Sequence, residues 1–294
     1  MYSENQGSIR YTVNPPFQRP LRFELEYARE LNRLLANFLV FPSSANMQEI
    51  NQRMTEYKAM AEFLEQFADT LATSMITQLA NRNAISWRQA ATQASQGKTI
   101  YQMLKQEIAG DKELYLHRLI AENATYIKTL PSSIAELVSQ HIQREQMAGL
   151  RSSEIIKTLP GAVHRLKRFE IERLARTEVA KADTAITRVR SESLGLAWYQ
   201  WETANDARVR QAHRYMDAVL VAWNDPPAPE ALIGMKSEGH YNAGNIYNCR
   251  CVALPLVTLS QVSWPARVYF QGRISRLTQY KFALMSSLPL QLSS

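Results

Sequence analysis

Cysteine is almost missing from this 294-residue chain: there are two, both in Cys249-Arg250-Cys251. Without a third thiol there is no disulfide framework to staple a fold. A bridge across one intervening residue would need an awkward backbone, so reduced thiols or metal-bound thiolates are the readings left. Long apolar runs are lacking as well. Nothing reaches membrane-spanning length, and Met1 to Arg10 is polar with no apolar h-region, so a cytosolic start with neither secretion nor a bilayer is expected. No glycine-rich phosphate cradle and no carboxylate cluster suited to magnesium is visible, which weighs against the commonest phosphoryl chemistries. Acidic residues disappear near the end: Leu256 to Ser294 holds neither Asp nor Glu.

What is present is ample apolar material, 46% of the chain, enough to bury a core and more than one domain. Thirty-four Lys and Arg against 27 Asp and Glu give a formal charge of +7, which suits an acidic partner such as nucleic acid or a negatively charged protein rim.

Residues 1 to 19 read as an extended arm, and Pro20 opens a helix that Phe41-Pro42 ends. Asn46 and Glu49 form a capping pair for the next helix. Ile50, Met54, Tyr57, Ala61, Leu64, Ala68, Leu71 and Met75 then recur with 4-3 spacing, a heptad seam that predicts one long helix packed on a neighbour within the chain or between copies. Further helices are expected over 84–94, 98–109 and 112–128. Pro131 is expected to stop the last of these, with Ser133 and Glu136 starting another. Pro160-Gly161 should break the chain before a long helix that ends at Gly195. The basic half of that helix carries Arg165, Lys167, Arg168, Arg173 and Arg176, either a phosphate-facing stripe or a solvated face. His117, His141 and His164 have no second ligand type near them and receive no role.

From Leu196 the period changes to two, with Trp198, Tyr199 and Trp201 alternating along a strand. Val219 to Trp223 and Asn248 to Val257 read as two more strands. Between them, Asp206, Arg210, His213 and Asp217 at i, i+4, i+7 and i+11 would share one face of a helix. The tail interleaves Arg267, Arg273, Arg276 and Lys281 with Tyr269, Phe270 and Tyr280. That pattern serves a nucleic-acid backbone or an acidic protein, or equally a last packed strand and helix.

Three motifs stand in order: Arg176-Thr-Glu178; Trp201-x-Thr203-x-x-Asp206-x-Arg208-x-Arg210-x-x-His213; and Tyr247-Asn-Cys249-Arg-Cys251-x-x-x-Pro255. Their order and spacing resemble the Mu-F-like family of phage head morphogenesis proteins, over roughly residues 130 to 257. The resemblance implies a minor head protein of a tailed phage, made in the host cytoplasm and carried inside the head near the portal. It implies portal and other head proteins as partners, and contact with packaged double-stranded DNA; it implies no known catalytic reaction. Family members often carry a histidine just ahead of the Cys-x-Cys, where this chain has Ile246 and Tyr247, its nearest histidine being His240.

The signature itself admits three readings. In the first, Arg176, Glu178, Asp206, Arg208, Arg210 and His213 form a hydrogen-bonded polar cluster that pins a long helix to a small sheet. In the second, Cys249, Cys251, His213 and His240 hold zinc, for which thiolate and imidazole are preferred donors. In the third, His213 or His240 is a general base oriented by Asp206, with Arg208 or Arg210 gripping a phosphate, as in a metal-dependent nucleic-acid hydrolase. The expected protein is a non-enzymatic, mainly helical chain. Its parts are a helical docking region over 1–129, a small α+β domain with an antiparallel sheet on a long helix over 130–257, and a basic extension over 258–294. Arg165, Lys167, Arg168, Arg267, Arg273, Arg276 and Lys281 would face DNA or the portal, and the Ile50 to Met75 seam would mediate docking or self-association.

Overall fold

A computed structural model describes residues 16–36, 40–41, 45–59, 64–93, 102 and 111–286. The arm over 1–15, seam residue Ala61 and nearly all of the expected 98–109 helix lie outside these. Seven helices are described: α1 (Leu21–Leu34), α2 (Met47–Lys58), α3 (Glu65–Gln93), α4 (Asp111–Met147), α5 (Ser152–Ser193), α6 (Gln211–Met216) and α7 (Gln279–Ser286). Five strands follow α5: β1 (Trp198–Glu202), β2 (Leu220–Ala222), β3 (Val252–Pro255), β4 (Ala266–Phe270) and β5 (Arg273–Leu277). The chain is mainly helical with a small sheet, as the sequence predicts. Among the described residues no helix is long and apolar enough to cross a membrane.

The contacts divide the chain into two units, one of residues 21–78 and 111–179, the other of 1–20, 79–110 and 180–294. α3 and α5 supply residues to both.

The first unit is helical. Asn46 caps α2 by accepting from the Glu49 amide at 3.0 Å while its own amide donates to the Glu49 carboxylate at 3.0 Å, as the capping pair predicts. The heptad seam is not one helix, because the chain turns between α2 and α3 at Ala59 and Leu64. Nor is it a docking face: Ile50, Met54, Tyr57, Leu64, Ala68 and Met75 are buried inside this chain, and α2 packs on α4. Among the described residues, these seam positions turn their apolar period inward. Pro131 does not stop a helix either. α4 runs through it, since Ile127, Leu130, Ile134 and Val138 are all buried on one side and their packing outweighs the hydrogen bond proline removes. α5 likewise continues through Pro160, flanked by buried Leu159, Ala162 and Val163. It ends where expected. Gly195 takes φ +71°, and the Leu196 amide returns to the Ser191 carbonyl at 2.8 Å.

The second unit is built on the sheet, whose strand order is β3-β1-β2-β4-β5. The pairs are antiparallel except β2 with β4, which run parallel, so the sheet is mixed and not purely antiparallel. The period-two alternation has a simple consequence: both faces are buried. Trp198, Leu220, Leu254 and Val268 point into one core with Phe17, Trp87, Ala90 and Phe282. Tyr199, Trp201, Val221, Ala253 and Tyr269 point into the other with Met216, Trp223, Tyr241, Cys249 and Cys251. The tail is therefore not an appended extension. β4 extends the sheet and Phe282 of α7 stacks edge-on against Trp198, ring centres 4.9 Å apart.

Candidate metal centre

The two ends of the signature meet. The expected Asp206 helix does not form as such: Asn205 has φ +51°, and the Asp206 carboxylate accepts the Arg208 amide at 2.9 Å, a side-chain turn that competes with helix. α6 begins only at Gln211, and Asp217 lies beyond its end, so the four-residue polar stripe is not a helix face. The turn still has a use. Arg250 reaches Asp206 Oδ2 at 3.2 Å, and Arg210 donates to the Tyr247 carbonyl at 3.0 Å with its guanidinium 4.3 Å from the Tyr247 ring centre. These contacts clamp α6 to the segment leading into β3. That strand starts later than expected because Asn248 turns the chain at φ +54°.

The six-residue polar cluster is divided. Asp206, Arg208 and Arg210 serve the clamp, with Arg208 3.5 Å from Asp206. Arg176 has an α1 partner, Glu24, at 3.8 Å, and Glu178 raises the pKa of the buried α1 residue Tyr27, second to the effect of burial itself. His213 belongs to neither group.

His213 is 2% exposed and sits where the clamp closes. Its Nδ1 lies 3.3 Å from Cys251 Sγ and 3.6 Å from Cys249 Sγ, and the three ligand atoms all fall within 4.8 Å of one another. Its Nε2 lies 3.1 Å from the Tyr241 hydroxyl, which donates to Glu230 at 2.6 Å. The phenol has one proton and gives it to the carboxylate. The Tyr241 oxygen can then only accept from His213, so in the neutral ring the proton sits on Nε2 and the Nδ1 lone pair faces both sulfurs. Trp201 packs edge-on to the imidazole at 5.6 Å, closing the site from water.

The thiols share one environment unequally. A hydrogen bond from Cys251 holds Cys249 well below the ordinary thiol range against the opposing effect of burial, whereas Cys251 is pushed up by donating to Cys249 and by burial.

His240, the fourth ligand the sequence suggested, is exposed and hydrogen-bonded to the Pro226 carbonyl at 3.0 Å; it does not join the group. Its neighbour Tyr241 does the work instead, through Glu230. Neither was singled out from the sequence, where a tyrosine and a glutamate in a proline-rich loop carry no spacing signal. The hydrolase arrangement is also changed: Asp206 is engaged by Arg250 and Arg208 and does not orient His213.

The basic residues divide in the same way. Arg267 donates to the Tyr215 carbonyl at 2.6 Å and the Asp217 carbonyl at 3.3 Å, and Lys167 to the Leu35 carbonyl at 2.9 Å, so both are spent on the fold. Arg168 pairs with Glu172 at 2.8 Å. Arg165, Arg273, Arg276 and Lys281 are exposed.

One carboxylate near the clamp is strained electrostatically. Glu202, at the end of β1, has its pKa raised from 4.5 to about 7 by burial and then by Asp217, which is itself held by the Thr203 amide and hydroxyl at 2.9 and 2.7 Å. A raised folded-state value favours the protonated form, so this contribution is full below pH 4.5 and is lost as pH rises through about 7. The shift would be worth about 3 kcal/mol if fully expressed, and about half that for a side chain partly in water. Glu202→Gln should therefore raise stability by about 1–2 kcal/mol at pH 8 and leave it unchanged at pH 4, measured by urea unfolding.

Fold and site together define a helical chain whose small mixed sheet carries a buried His-Cys-Cys group closed by an Asp-Arg clamp. Residues 136–254 match the family described as Phage Mu protein F like protein, the same family that the three motifs resemble. The chain carries a Mu protein F-like region there. A protein of Haemophilus influenzae, described as uncharacterized, is 25% identical over 213 residues. The match takes in 68% of this chain and 43% of that relative, so the chain spans less than half of the relative's length. No solved structure matches the chain.

Proposed function

We propose that the protein is a structural minor head protein of a tailed phage, acting in head assembly close to the portal. The observation that carries this reading is the Mu protein F-like match over 136–254, the segment that contains the clamp, β1, β2 and nearly all of β3. A second feature supports an acidic partner. β5 is the edge strand of the sheet and bears exposed Arg273 and Arg276, with Lys281 exposed on α7 beyond it. An edge so charged resists strand addition by stray chains while offering cations to a carboxylate-rich rim or to phosphates.

Co-expression with the portal protein of the same phage tests the reading. The chain should co-purify with the portal ring, and Arg273→Glu with Arg276→Glu and Lys281→Glu should reduce the amount bound without lowering the melting temperature. Failure to co-purify with the portal would overturn the portal assignment. Retention on duplex DNA that weakens steeply with salt would point the basic edge to packaged DNA, since phosphate contacts release counterions.

A further inference from the structure

We propose that His213 Nδ1, Cys249 Sγ and Cys251 Sγ bind one zinc ion, with Tyr241 and Glu230 positioning the imidazole and a non-protein ligand completing the tetrahedron. The reading is independent of the role in head assembly.

Three observations carry it. The first is distance. Around a tetrahedral zinc, with Zn–S of about 2.3 Å and Zn–N of about 2.0–2.1 Å, a sulfur and a nitrogen ligand lie about 3.6 Å apart. The two separations here are 3.3 and 3.6 Å. The second is convergence. The Nδ1 lone pair and the two sulfurs converge, all three atoms within 4.8 Å of one another, and a cation takes all three donors at once.

The third is the outer partner chain. Imidazole ligands commonly donate their other ring N–H to an oxygen that fixes tautomer and orientation, and here Nε2 has Tyr241, backed by Glu230. Glu230 is 5% exposed, and its Oε2 has no hydrogen-bond partner. A buried carboxylate with one oxygen unsatisfied, 3.8 Å from His213, is costly unless positive charge sits nearby. An ion on the far side of the ring supplies that charge.

Among the described residues no fourth His, Cys, Asp or Glu joins the group. A cavity of about 10 Å³, with Cys249, Cys251, Asp183 and Thr184 among its lining residues, has room for about one water. The ion would join α6 to the start of β3 across the intervening loop, and its binding free energy would add to the stability of the sheet unit.

The test uses the full chain, purified from zinc-supplemented cells without chelator. Elemental analysis after gel filtration should find one zinc per chain, and cobalt exchanged into the site should show a thiolate-to-cobalt charge-transfer band. His240→Ala should keep the full zinc content. Tyr241→Phe should keep zinc but bind it roughly 10- to 100-fold more weakly in competition with a chromophoric chelator. Cys249→Ser with Cys251→Ser should lose it. Should that double variant fail to fold, the metal content and cobalt spectrum of the unaltered chain decide. A folded chain with only trace zinc and no charge-transfer band would overturn the site, and Tyr241→Phe with unchanged affinity would overturn the positioning role.

Discussion

Leu64→Asp is expected to unfold the helical unit. Leu64 is fully buried at the turn before α3, and its carbonyl accepts the Ala68 amide at 2.8 Å. Truncating a buried leucine alone costs about 2–5 kcal/mol. A carboxylate in its place must also be desolvated or protonated, which takes the total above about 5 kcal/mol, the scale of an entire domain's stability. Far-UV circular dichroism should show lost helix or a greatly lowered melting temperature, and limited proteolysis should cut within 21–78. Leu71→Asp, at a half-buried position on the same seam, should do less harm. A Leu64→Asp chain that folded normally yet failed to enter heads would instead restore the seam as a docking surface.

Gly244→Ala should cost about 2–4 kcal/mol, for two separable reasons. The residue has φ +86°, in the region where an added Cβ is strained. That Cβ would also collide with Thr184 Oγ1 and come within 3.3 Å of the Cys251 carbonyl and 3.4 Å of the Ala180 carbonyl. Thr184 cannot simply rotate away, because its hydroxyl donates to the Ala243 carbonyl at 2.8 Å. Adding Thr184→Ala to Gly244→Ala should recover part of the loss, a coupling of about 0.5–3 kcal/mol, while the backbone strain stays. Urea unfolding of the four chains in this cycle measures both parts. Strict additivity would mean that the close approach between the Gly244 loop and α5 does not matter.

Much of this fold could be read from residues. The alternation at Trp198, Tyr199 and Trp201 located β1 because a sheet buried on both faces needs large side chains on both. Asn46 with Glu49 located the start of α2 because the cap is purely local. At the prolines, tertiary packing overrides a local rule. Pro131 and Pro160 usually break helices, but the buried apolar residues around them hold α4 and α5 straight through. The Asp206 stripe had helical spacing, yet Asn205 and the Asp206 side chain preferred a turn. At the site, His213, Cys249 and Cys251 were visible as chemistry. Tyr241 and Glu230 were not, since only the folded loop brings a glutamate 17 residues after His213 back to the imidazole.

The parallel pairing of β2 with β4 gives the chain a timetable. β2 has three residues, and its outer neighbour β4 is made only after the whole Mu protein F-like region. Until then a nascent chain that already holds the whole Mu protein F-like region has an open sheet edge and an apolar face awaiting Phe282 and Ala283. The matched segment, ending at 254, thus stops short of the last two strands of the sheet. An excised fragment cut at the homology boundary would preserve that unfinished edge permanently, with aggregation as its natural outcome.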